Sequence, residues 1–332
     1  MTIKLSICIP TYNRKTFLRE TIESIINQAD SGNYKKIEVC ISDNASTDGT
    51  QELINNIQAN TPVRIIYSRS ERNLGPDANY LRSVELASGD YCWFMGSDDV
   101  ALPGSLNTIL CEIDHEYDIY LFNRVDCDIA LRPICNRYWL DESLTGGLYD
   151  LADSKQFDKY SRQSKSIGSL FSYLSSIVFK RTKWQAIEVD SIFIGTAYSH
   201  VYMLMSFIKM GCILKYCSNH LVLSRGGNDS FWNPTNDGII KRIMIDIDGY
   251  LMLADRLFND SQAHYQGVLR VLRAERPALS TLAILRLRTN SSSWSVVSKK
   301  FHKAGYSKTL IFLIGIAKPM IWLVKQIRAT AA

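Results

Sequence analysis

From residue 4 the chain alternates short apolar runs with segments in which apolar positions recur every three to four residues. Residues 4–9 (KLSICI) form an apolar run closed by Pro10, the pattern of a buried strand. Phe17, Leu18, Ile22, Ile25 and Ile26 then share one face of a helix, with Asn13 in position to cap it. Residues 37–42 (IEVCIS) predict a second strand, and Leu53, Ile54 and Ile57 mark the inward face of a helix that starts near Thr50. A strand over 63–67, a helix over 76–87 and a strand over 91–95 follow, and 103–113 and 118–125 extend the alternation. Strands separated by helices of this length pair in parallel through right-handed crossovers. The predicted class is therefore α/β, a Rossmann-like, mostly parallel sheet flanked by helices.

Beyond residue 126 the pattern loosens. Residues 126–165 are polar and irregular, which predicts loops over a site, and 166–180 and 201–208 read as core helices or strands. Residues 213–217 and 221–224 predict strands leading into the loop Arg225-Gly226-Gly227-Asn228-Asp229, and from residue 239 the chain reads as helical. The expected division is a sheet-based domain over 1–235 and a helical, basic region over 236–332.

Composition changes this picture little. A chain of 332 residues with 46% hydrophobic and 21% charged positions suits one large core or two modest ones. The eight cysteines form no C-x-x-C pair, and Cys8, Cys40 and Cys92 sit in strand-like apolar runs, where cysteine acts as a small hydrophobe. With no leader ahead of the first strand, a reducing cytoplasm is expected. Charge changes it more. The net +5 splits into +10 for the last 57 residues, which hold no acid after Glu275, and −5 for the first 275. A basic tail on an acidic body points to an anionic surface or to a tail that only aids solubility. Nothing points to nucleic acid.

In a parallel sheet of this kind ligands bind beyond the carboxyl ends of the strands. Polar clusters fall at four successive strand ends: 11–14, 43–49, 73–79 and 96–99. Asp98-Asp99 follows the aromatic run 91–95 and Gly96. Adjacent carboxylates there suit Mg²⁺ or Mn²⁺, which take oxygen ligands and hold substrate phosphates, and equally suit a turn with a helix cap. Asp43 can accept a hydrogen bond from uracil N3–H or cytosine N4–H₂, or cap the following helix, as Asp48 does in the plainer reading. Asn73-Leu74-Gly75-Pro76 lets backbone approach a ligand at Gly75 before a helix begins. The signatures G-x-G-x-x-G after the first strand, G-x-x-x-x-G-K-[ST] and G-x-S-x-G, and zinc-ligand spacing, are absent.

Pro10-Thr11-Tyr12-Asn13-Arg14, Ser42-Asp43-Asn44-Ala45-Ser46-Thr47-Asp48-Gly49-Thr50, Asn73-Leu74-Gly75 and Gly96-Ser97-Asp98-Asp99 together resemble the ordered signature of family 2, GT-A-fold glycosyltransferases. The resemblance is strong over about the first 100 residues and looser to about 230. It implies nucleotide-binding roles for Pro10, Thr11, Tyr12, Asn13, Arg14, Asp43, Asn44, Asn73, Gly75, Asp98 and Arg225, and a divalent metal, Mn²⁺ or Mg²⁺, on Asp99. Residues 89–93, 171–176, 194–196 and 225–231 are further similar to bacterial O-antigen abequosyltransferases. That likeness implies a CDP-activated 3,6-dideoxyhexose donor and a mannose of a polyprenyl-diphosphate-linked oligosaccharide as acceptor. It also implies a peripheral location on the cytoplasmic side of the bacterial inner membrane.

The chain departs from the family pattern twice. Gly96 stands where an acid is usual. Tyr198-Ser199-His200 stands where inverting members carry Glu-Asp, the Asp being the general base. His200 is then either a base, its unperturbed pKa of about 6.5 suiting the task, a satisfied core histidine, or bypassed in a retaining enzyme whose leaving diphosphate takes the proton. Retention is what transfer from an α-linked CDP-sugar to an α-linkage requires. Arg225 can pair with phosphate and Asp229 can hold a sugar hydroxyl, although 225–229 is also good turn chemistry. In the tail, 310–316 and 320–324 are apolar runs too short to span a bilayer. With Trp322, Lys299, Lys300, Lys303, Lys308, Lys325 and Arg328 they suit a helix lying on an anionic leaflet or a homodimer contact.

Overall fold

The computed structural model describes residues 2–30, 32–228, 236–289 and 291–316. Four strands, β1 (Leu5–Thr11), β2 (Ile37–Asp43), β3 (Arg64–Arg69) and β4 (Tyr91–Phe94), alternate with helices α1 (Lys15–Ile26), α2 (Thr50–Asn60) and α3 (Pro76–Glu85). They lie in the order β3-β2-β1-β4 and pair in parallel, as the alternation predicts. Side chains on β1 go alternately to the two faces. Leu5, Ile7 and Ile9 pack with Leu18 and Ile22 of α1 and Leu53 and Ile54 of α2, while Cys8 packs with Leu81 and Val84 of α3. All eight cysteines are free thiols.

The rest of the sheet is mixed. β5 (Val100–Ala101) and α4 (Ser105–Ile113) precede β6 (Ile119–Cys127), which does not pair with β4. The antiparallel strand β9 (Ile177–Lys180) enters between them, so the parallel set expected to run on to residue 125 is interrupted. Residues 126–165, expected as loops, form β7 (Pro133–Arg137), β8 (Gly146–Asp150) and α5 (Ser154–Gln163). β7 is exposed at every position and so has no apolar alternation to betray it. The two expected strands over 213–217 and 221–224 are one bulged strand, β10 (Ile213–Arg225), parallel to β6. Between β9 and β10 lie α6 (Arg181–Gln185) and α7 (Ser199–Lys209).

Helices α8 (Asn236–Phe258), α9 (Gln262–Glu275), α10 (Ala278–Arg288), α11 (Ser291–Lys303) and α12 (Lys308–Ile316) complete the described chain. Their apolar faces share one continuous cluster with α3, α5 and α7. The basic tail folds back on the acids of α8: Arg276 pairs with Asp246, Lys300 with Asp248 at 2.7 Å and Lys303 with Asp255 at 2.5 Å. Asp246 is fully buried and also takes Arg242 and the Tyr198 hydroxyl at 2.7 Å, which compensates its charge. The tail's positive charge is thus partly spent inside the molecule. Among the described residues no helix is long and apolar enough to cross a membrane. Trp322, Lys325 and Arg328 lie outside them.

Candidate active site

The strand ends β1, β2 and β4 are stitched together by their own polar residues. Asn13 does not cap α1. It adopts φ 50°, its N–H donates to Ser46 Oγ (2.8 Å), and its Oδ1 accepts from Thr47 N–H (2.8 Å), while Arg14 occupies the cap position. Gly49 occupies the cap position of α2, and Asp48, one residue earlier, accepts from Thr50 Oγ1 at 2.6 Å, while its other oxygen accepts the Lys15 N–H of α1 at 2.8 Å. Asn44 holds the next loop: its amide donates to Asn73 Oδ1 (2.8 Å) and the Gly75 carbonyl (3.1 Å), and its Oδ1 accepts from Leu74 N–H (2.8 Å). Gly75 sits at φ 84°, ψ 167°, a conformation closed to residues with a Cβ, and so turns the chain into α3.

Asp43 is fully buried. One oxygen accepts from Ser46 N–H (2.9 Å) and the other from the Tyr67 hydroxyl (2.6 Å), so the described contacts direct it into the loop. These loops open on a cleft of about 870 Å³ whose walls include Pro10, Thr11, Tyr12, Arg14, Asn44, Asn73, Asp98, Asp99, His200 and Arg225. Asn13, Asp43 and Gly75 lie behind that surface. Asp229 lies outside the described residues.

The turn after β4 divides its two carboxylates. Asp99 is 5% exposed; its Oδ2 accepts from Tyr173 (2.6 Å) and Ser175 (2.5 Å), and its Oδ1 from Arg225 N–H (3.2 Å). Burial, and then the charge of Asp98, push its pKa up to about 6. Asp98 faces the cleft. Its Oδ2 pairs with Arg14 and accepts from Asn228 (2.8 Å), while its Oδ1 takes no hydrogen bond among the described residues. Gly96 lies under Asp99, where a Cβ would come within 2.8 Å of Oδ2. The Arg225 guanidinium is held by Glu20, the Asp98 carbonyl (3.0 Å) and the Ile129 carbonyl (2.7 Å), over the Phe17 ring.

Residues 6–178 match the model for "Glycosyl transferase family 2". The chain belongs to that family. It is a glycosyltransferase. It is 41% identical over 329 residues to the abequosyltransferase RfbV of Salmonella typhimurium, a match that covers 97% of this chain and 96% of the relative. Its fold resembles Staphylococcus aureus TarS 1-349, solved with UDP (TM-score 0.63, 15% identity, 98% of this chain and 87% of that one). It also resembles the Pyrobaculum calidifontis mannosyltransferase PcManGT, solved with GDP-Man and Mn²⁺ (TM-score 0.55, 13% identity, 96% and 87%). The GT-A fold expected from the motifs is the fold of this glycosyltransferase.

His200 opens α7 on the cleft wall of the transferase, 4% exposed, with Tyr80 edge-on at 5.1 Å. Burial pulls its pKa down to about 4 against the opposing influence of Asp77 and the Phe171 carbonyl, which sits outside hydrogen-bond geometry. The loop that delivers it is built on Asp77, a residue the sequence reading passed over. Asp77, 1% exposed, accepts the backbone N–H groups of Gly195 (2.8 Å), Ala197 (2.8 Å) and Ser199 (3.0 Å). In sequence Asp77 looks like an acid favourable in the first turn of α3. Also missed are Arg124 and Asp126 on β6. They pair at 2.7 Å and line the cleft, with the Arg124 guanidinium 3.9 Å over the Tyr173 ring. They fall where the expected strand 118–125 gives way to expected loop, which hid them.

Proposed function

We propose that this transferase moves a 3,6-dideoxyhexose, abequose or an epimer, from a CDP-sugar to a mannose of a polyprenyl-diphosphate-linked oligosaccharide in O-antigen synthesis. The observation that carries the reading is the identity to the abequosyltransferase RfbV, which runs through the C-terminal helices as well as the family 2 region. Residues 1–235 form the nucleotide-sugar and catalytic part, and 236–332 serve membrane association or dimerisation on the cytoplasmic face. Pro10, Thr11, Tyr12, Arg14 and the loops held by Asn13, Asp43, Asn44, Asn73 and Gly75 receive the nucleotide. Thr11 Oγ1 supports this, since it is a buried cleft hydroxyl without a hydrogen-bond partner.

A divalent cation fits the donor set. Among the described residues no group of three or more acidic, His or Cys side chains is placed to hold a metal ion, and Mg²⁺ or Mn²⁺ typically needs only one or two carboxylates beside substrate phosphates and water. Asp98, which lines the cleft and whose Oδ1 takes no hydrogen bond among the described residues, is the better ligand. Asp99, the ligand implied by the sequence resemblance, has both oxygens engaged and fixes the turn. When bound, such an ion supplies positive charge to the departing diphosphate. Arg14 orients Asp98, and Arg225 braces the turn by holding the Asp98 carbonyl. The acceptor proton passes to the leaving diphosphate, with retention, as transfer from an α-linked CDP-sugar to an α-linkage requires. Asp229 remains the proposed partner of a sugar hydroxyl.

The test is a thermal-shift screen against CDP, UDP, dTDP and GDP with Mn²⁺, followed by transfer to a lipid-linked mannosyl acceptor and NMR of the product anomer. Selective stabilisation by CDP and an α product are expected. Preference for another nucleotide defeats the donor assignment, and a β product from an α donor defeats retention.

A further inference from the structure

Six residues in the described chain carry buried side-chain polar atoms with no hydrogen-bond partner, and Thr11 and His200 are the two that line the cleft. At His200 both ring nitrogens are orphaned while the side chain is 4% exposed. A neutral imidazole carries one donor and one acceptor, and leaving both unmet in a buried position is costly. The ring is not loosely placed. Tyr80 meets it edge-on at 5.1 Å and Phe94 at 6.3 Å, and the Asp77 carboxylate fixes the backbone of the preceding loop through Gly195, Ala197 and Ser199. A rigid ring with an unmet polar nitrogen on a cleft-lining residue can read a hydroxyl, because a hydroxyl can either donate to that nitrogen or accept from it.

We infer that His200 is a specificity residue that recognises a sugar hydroxyl in the cleft through one of its ring nitrogens. The inference rests on the reading that the cleft holds a nucleotide sugar and its acceptor. The hydroxyl belongs to one of those two sugars, and separate measurements distinguish them. His200 holds substrate and moves no proton, and the proton path of the reaction is unchanged.

The experiment compares the full-length enzyme with His200→Leu, which removes both polar atoms, and His200→Gln, which keeps a donor and an acceptor. Four quantities are measured: melting temperature without ligand, affinity for CDP, KM for donor and acceptor, and kcat. Removing orphaned polar atoms leaves His200→Leu at least as heat-stable as the wild type, with CDP affinity unchanged. Its KM rises at least 10-fold for the one substrate whose hydroxyl is read, kcat stays within 5-fold, and His200→Gln recovers most of the loss. Three results overturn the inference. They are a lower melting temperature in His200→Leu with both KM values unchanged, a kcat loss beyond 100-fold at unchanged KM, or no KM change in either variant. A wild-type enzyme that neither binds CDP nor transfers from a CDP-sugar instead defeats the donor assignment. The variants are then compared with the nucleotide sugar the enzyme does use, and the same outcomes decide the role of His200.

Discussion

Replacing Asp77 by Ala tests the architecture of the cleft wall most directly. The carboxylate accepts three backbone N–H groups from one short loop, two at 2.8 Å and one at 3.0 Å. Hydrogen bonds to a charged group contribute about 1.5–3 kcal/mol each. The full sum does not apply, because Gly195 is exposed and Ala197 half-buried, so water can reach their N–H groups once the carboxylate is gone. Ser199 is 1% exposed, and its N–H stays unpaired. The expected loss is therefore about 3 kcal/mol, a large part of the 5–15 kcal/mol typical of a domain. In urea, with a slope of about 3 kcal/mol/M, the unfolding midpoint falls by roughly 1 M at unchanged slope. Asp77→Asn, with one carbonyl acceptor left, falls about half as far. A midpoint shift below roughly 0.3 M for Asp77→Ala would show that the loop does not depend on this carboxylate.

Asp99 gives a pH signature. Its folded pKa near 6 lies above its ordinary value, so the folded state holds the proton longer, and ligand-free stability falls as pH rises from about 4 to about 6. Melting curves across that range check the slope, and Asp99→Asn removes it. Tyr198→Phe deletes the 2.7 Å hydrogen bond to Asp246 that ties α7 to α8, but Asp246 keeps two arginines. The expected cost is about 1–2 kcal/mol by urea titration, and no change would show the link to be idle. Phe312, Leu313 and Ile316 on α12 are each at least half exposed. Phe312→Glu should at least halve recovery of the full-length protein with phosphatidylglycerol vesicles, and equal recovery defeats the membrane assignment.

What could be read from the sequence was what the backbone pattern enforces locally. β1, β2 and β4 are buried on both faces, largely apolar, and end in polar clusters, so strands, helices and the four loops of the cleft were visible. β7 faces solvent at every position and left no periodic trace. The insertion of β9 between β4 and β6 is a long-range pairing that local periodicity does not encode. At the site, neighbours in sequence diverge in three dimensions. Asp43 turns inward to Tyr67, while Asn44 reaches the cleft wall, and Asp99 is held from behind, while Asp98 looks out. A pair of adjacent carboxylates is legible as chemistry; which one meets the ligand depends on Tyr173 and Ser175, more than 70 residues away.

The glycine at 96 has a consequence for mutational routes. Because Asp99 Oδ2 would lie 2.8 Å from a Cβ there, any side chain at 96 collides with a carboxylate pinned by Tyr173 and Ser175. Installing an acid at 96 therefore cannot be a neutral single step. It passes through a strained intermediate unless position 99 or 175 changes first, and an engineer seeking a third carboxylate must plan the substitutions as a pair.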